Sequence, residues 1–106
     1  RGNLQKEEKM LTYSEKCEEA TTAQGLRPIM QLLDDKNISY SVEQTGGFTM
    51  VIYIYLSNYQ TISINAECVL FSPDVRESDN EEILIFSEDP EELVTAVVNN
   101  LAKVGA

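Results

Sequence analysis

The sequence predicts an α+β fold: N-terminal helices, an antiparallel β-meander of three strands plus a short fourth strand, and a C-terminal helix, arranged as a two-layer single domain. Three observations carry this prediction. Apolar residues recur at helical spacing up to residue 36, alternation with period two runs from residue 38 to residue 70, and a cap followed by proline precedes a second helical stripe. The chain has 106 residues and a mass of 11.9 kDa, with 42% hydrophobic and 25% charged residues, which fits one core and leaves no room for a second.

Residues 1–9, ending in Lys6-Glu7-Glu8-Lys9, hold few apolar anchors and read as a flexible arm or processing remnant, with the α+β domain occupying residues 10–106. Thr12 followed by Glu15 forms a capping box, and Tyr13, Cys17 and Ala20 continue at helical spacing. Gly25 interrupts this pattern. Leu26, Ile29, Met30 and Leu33 then form an amphipathic stripe, with Pro28 acceptable in a first turn and Asn37 suited to close the helix.

Ile38, Tyr40 and Val42 alternate with polar residues, and Thr45-Gly46-Gly47 supplies the positive φ angles of a hairpin. The second strand spans residues 48–56, with Phe48, Met50, Ile52, Ile54 and Leu56 on one face and Thr49, Val51, Tyr53 and Tyr55 on the other. A third strand is expected to run unbroken over residues 61–70, with Ile62, Ile64, Ala66, Cys68 and Leu70 inward. Residues 72–82 read as an exposed acidic loop, and Ile83-Leu84-Ile85-Phe86 as the short fourth strand. Asp89-Pro90-Glu91-Glu92 opens the last helix, whose stripe is Val94, Val97, Val98 and Leu101, with Gly105 available to close it.

Composition narrows the chemistry. The chain contains no histidine, so Ser-His and Cys-His nucleophilic pairs do not exist, and its eight basic residues sit in no Ser-x-x-Lys or phosphate-loop context. The expectation is a non-enzymatic protein with no cofactor and no metal. Cys17 and Cys68 are expected to be free thiols, and no C-x-x-C pair offers a zinc site. An EF-hand starting at Asp74 would need glycine at its sixth position, where Asp79 stands. Asn37-Ile38-Ser39 matches a glycosylation sequon, but the start of the sequence has no apolar run resembling an export signal; the match is read as chance. No apolar run approaches a membrane span, and the expectation is a cytoplasmic protein with no membrane partner.

Charge is the most informative feature. Eighteen acids against eight bases give −10, which repels nucleic acid, so none is expected as a direct partner. Residues 37–102 hold eleven acids and a single base, Arg76. Glu77, Asp79, Glu81, Glu82, Glu88 and Asp89 are therefore the candidate acidic contacts for a basic protein partner, such as a nucleic-acid-binding protein whose groove they would fill. On an extended loop, Glu77, Asp79 and Glu81 would project to one side at about 6.6 Å intervals, a spacing of the order of neighbouring phosphates. Asp89, Glu91 and Glu92 also complement the dipole of the last helix.

Tyr53 and Tyr55 lie on the strand face opposite Ile52 and Ile54, which makes that face too apolar for water alone. A helix or the acidic loop would cover it, or else a protein partner or second copy would, as in a homodimer. The order of helices, meander and final helix, with this acidic composition, is similar in outline to small secretion chaperones and to small acidic phage proteins that antagonise host nucleic-acid machinery. The first likeness implies a dimeric chaperone or adaptor that binds through its sheet, and the second an inhibitor presenting a phosphate-like surface.

Overall fold

A computed structural model describes residues 11–47 and 49–104. The elements are α1 (Tyr13–Ala23), α2 (Arg27–Asp35), β1 (Ser41–Gly46), β2 (Thr49–Tyr55), β3 (Thr61–Ile64), β4 (Cys68–Ser72), β5 (Glu82–Phe86) and α3 (Pro90–Val104). The expected arm over residues 1–9, the inward placement of Phe48 and the closing role of Gly105 lie outside the described residues.

Local signals set the helix boundaries. The capping box forms as expected: Glu15 N–H donates to Thr12 Oγ1 at 3.1 Å, and Thr12 N–H donates to Glu15 Oε1 at 2.8 Å. Gly25 separates α1 from α2 at a φ of +79°, and Asn37 closes α2 at a φ of +59°. At the start of α3, Glu91 N–H donates to the Asp89 carboxylate at 3.0 Å, while Pro90 occupies the first turn, where no N–H is needed.

The sheet is a five-stranded antiparallel meander in the order β1-β2-β3-β4-β5. It has one strand more than the sequence predicted. The single strand expected over residues 61–70 is two strands, because Asn65 turns the chain: its Oδ1 accepts from Glu67 N–H at 2.8 Å and Cys68 N–H at 2.9 Å. These bonds form an Asx turn that competes with continued extension. The turn also reverses the facing of β4 relative to the expected register, so Val69 and Phe71 point inward and Leu70 does not. At the other end, β1 begins at Ser41, since Ile38 N–H is still tied to Leu33 C=O at 3.0 Å.

The helices pack on one face of this sheet. Met50, Ile52, Ile54, Ile62, Ile64, Val69 and Phe71 form one buried cluster with Leu26, Ile29 and Leu33 of the α2 region and Leu93, Val94 and Val97 of α3. Leu93 takes the place in the α3 stripe expected for Val98, which is exposed; the stripe is rotated by a fraction of a turn because α3 packs on both α2 and the β4–β5 edge. Cys17 and Cys68 are free, as expected, and geometry keeps them apart: Cys17 packs on the helix side, while Cys68 alternates with Val69 onto the opposite face.

Candidate interaction surface

Among the described residues, no helix lies against the other face of the sheet. Its central row runs Ser41, Tyr53, Ser63, Leu70 and Ile83 across all five strands. Cys68 stands opposite Phe86 on the same side. An irregularity in β5 explains why two residues three apart share this face: Ile83 pairs with Leu70 and Ile85 with Val69, leaving Leu84 as the extra residue of a bulge. Ile85 therefore joins the core, while Ile83 and Phe86 remain outside at 55% and 70% exposure. Tyr55 is 61% exposed.

Residues 73–81 are tied to one end of this face. Val75 N–H donates to Tyr59 C=O at 2.8 Å, which holds the segment against the turn between β2 and β3. Thr61 and Ser72, paired with one another in the row beside Tyr55, are buried at this end. The segment is not extended. Ser78–Asn80 forms a 3-10 turn, with Asn80 Nδ2 donating to Glu77 Oε1 at 2.7 Å, so the evenly spaced array expected of Glu77, Asp79 and Glu81 does not form. Short-range bonds from Asn and Asp side chains favour such turns over extension.

The remaining acids divide. Glu82 begins β5, whereas Glu88 and Asp89 lie beyond its end, and the five-residue strand between them is about 13 Å long. Asp89 is also committed to capping α3. The six acidic candidates thus form two groups at opposite ends of an edge strand.

The two tyrosines do come together. Their ring centroids lie 5.9 Å apart with planes 23° from parallel. Glu43, which sequence reasoning missed, completes the cluster: its Oε2 accepts from Tyr55 Oη at 2.6 Å and from Ser41 Oγ at 2.7 Å. The signal for Glu43 was its alternation with Ser41, which puts both on the tyrosine face. The hydrogen bond to Glu43 pushes the Tyr55 hydroxyl up to about 12, and the same bond, with that from Ser41, holds Glu43 below the ordinary carboxyl range. Burial raises Tyr53, followed by the charges of Glu43 and Glu81. Of the acidic candidates, Glu81 thus adds to the raising of Tyr53.

Arg76 is not available to neutralise this face. Its Nε and Nη2 donate to the two Asp74 carboxylate oxygens at 2.8 and 2.7 Å, and its guanidinium lies 4.0 Å from the centre of the Tyr59 ring. Bonding to Arg76 in turn lowers Asp74 to about 2. Tyr59 holds this position at a φ of +65°, a conformation that costs a non-glycine residue about 1 kcal/mol or more.

Among the described residues, no three His, Cys, Asp or Glu side chains converge to hold a metal ion, and no helix is long and apolar enough to cross a membrane. Comparison with family models, curated proteins and solved structures finds no match to this chain.

Proposed function

We propose that this chain is a non-enzymatic protein-binding domain that engages a basic polypeptide segment on the open face of its sheet. The observation that carries the reading is the exposure of Tyr55, Ile83 and Phe86 on a face against which no helix of the described residues packs. Aromatic side chains with apolar bodies and polar tips are enriched where proteins bind one another.

Size and charge favour a segment over a second copy. Five strands of four to seven residues span roughly 20 by 15 Å, or about 300 Å², well below the ~800 Å² per partner of a standard interface. A second copy would also bring a charge of −10 against −10. A segment alternating basic and apolar residues would place its apolar side on Tyr53, Leu70, Ile83 and Phe86, with Glu77, Asp79, Glu81 and Glu82 steering its approach. Glu43 and Asp74 are held low, the opposite of what a general acid needs.

Fluorescence anisotropy with a labelled peptide of alternating lysine and valine tests this reading, with the glutamate–valine counterpart as control. Tyr55→Ser with Phe86→Ser is expected to weaken binding about tenfold or more through faster dissociation. Reversal of Glu77, Asp79 and Glu81 to lysine is expected to slow association and flatten the salt dependence. If the reversal abolished binding while the aromatic replacements left it unchanged, the acidic segment would be the site and the sheet face would not.

A further inference from the structure

Resting on the proposed binding of a basic segment, we propose that the anchor of the partner is an arginine side chain, seated against the Tyr53–Tyr55 pair with its guanidinium donating to Oε1 of Glu43. Three features of the face converge on a planar cation. The first is Glu43 itself. Both hydrogen bonds it accepts fall on Oε2, leaving Oε1 with no donor among the described residues. Tyr55 and Ser41 fix the carboxylate's orientation, so an incoming donor meets an acceptor already in place.

The second feature is the stacked ring pair, half-buried at Tyr53 and open at Tyr55. A guanidinium laid on the open ring extends the stack and gains attraction from the ring's negative face. The third is charge with no cation paired to it among the described residues: Glu43 and Glu81 both act on Tyr53, and Arg76, the single base of residues 37–102, is held by Asp74.

The molecule also contains an internal example of a related arrangement. Arg76 lies on the ring of Tyr59 and binds Asp74 through two parallel hydrogen bonds. Carboxylate, tyrosine face and guanidinium are all present there. At Glu43 and Tyr55 the carboxylate and the tyrosine face are present, and the guanidinium would come from the partner. Lysine fits this position less well, since its ammonium is a compact, strongly hydrated charge that does not stack on a ring.

Calorimetric titration of the full chain with two hexapeptides, alternating arginine–valine and alternating lysine–valine, tests the proposal. The arginine peptide is expected to bind about fivefold to tenfold more tightly. Glu43→Gln keeps an oxygen for the Tyr55 hydroxyl and removes the charge; it is expected to bring the two peptides to within about twofold, as is Tyr55→Leu. Circular dichroism of each variant establishes that it is folded. Equal affinities in the unaltered chain, or an arginine preference that survives Glu43→Gln, would overturn the arginine anchor while leaving the basic-segment reading in place. Binding of neither peptide would overturn both.

Discussion

Replacing one residue on each side of the sheet separates a core from an open surface. Ile64 sits in β3 between Ile52 and Val69, with no exposure. Truncating such a residue to alanine removes its burial and leaves a cavity, at a cost of about 2–5 kcal/mol. For a domain whose total stability is of the order of 5–15 kcal/mol, that loss corresponds to a fall in Tm of roughly 10–30 °C. Phe86, paired with Cys68 on the other side, is 70% exposed and already meets water in the free protein. Phe86→Ser is therefore expected to change stability by no more than about 0.5 kcal/mol. Thermal and urea unfolding followed by circular dichroism at two protein concentrations measures both. A Phe86→Ser loss comparable to that of Ile64→Ala would mean instead that the outer face is covered in the free molecule. If the loss also depended on concentration, the cover would be a second copy.

Other changes probe the turns and the tyrosine cluster. Asn65→Ala leaves the Glu67 and Cys68 amides without their acceptor and is expected to cost about 1–2 kcal/mol, read as a lower urea midpoint with an unchanged slope. Gly25→Ala places a Cβ 3.4 Å from that of Ala66 at a φ of +79°, so its cost of about 1 kcal/mol arises from backbone conformation more than from crowding. The Tyr55–Glu43 bond makes stability depend on pH in two windows. Because the Tyr55 hydroxyl is raised, its contribution is whole below pH 10 and is lost as pH climbs through about 12. Because Glu43 is lowered, its contribution is whole above pH 4.5 and is lost as pH falls through its depressed value. Glu43→Gln is expected to bring the Tyr55 titration, followed by tyrosinate absorbance, back towards 10; an unmoved titration would contradict the assigned cause.

Much of the fold was legible because its signals are local. The Thr12–Glu15 box, Asn37 at the end of α2 and the Asp89-Pro90 start of α3 each act within one turn of chain, and each forms as the sequence predicts. The alternation at Met50, Ile52 and Ile54 was equally direct. The fifth strand was hidden because Asn65 is compatible with an outward strand position as well as a turn, and only the pairing of Ile64 with Val69 decides between them. The β5 bulge was hidden for a related reason: four consecutive apolar residues carry no facing signal, so the placement of Ile83 and Phe86 outside depends on register against β4.

The candidate surface was half legible. Tyr53 and Tyr55 were evident from their strand parity, whereas Glu43 enters only through a side-chain bond that spans two strands. The acidic candidates carried a strong compositional signal but a weak geometric one. Counting charges cannot reveal that Ser78–Asn80 folds into a 3-10 turn or that β5 divides the acids into two groups.

Where the segment binds is read from a backbone and side-chain NMR map of the chain titrated with the arginine–valine hexapeptide. Binding on the open face predicts that shifts concentrate on the outward residues Ser41, Glu43, Tyr53, Tyr55, Leu70, Ile83 and Phe86, with the helices unmoved. Shifts confined to the helices, or to residues 74–81 with the tyrosine rows silent, would contradict it.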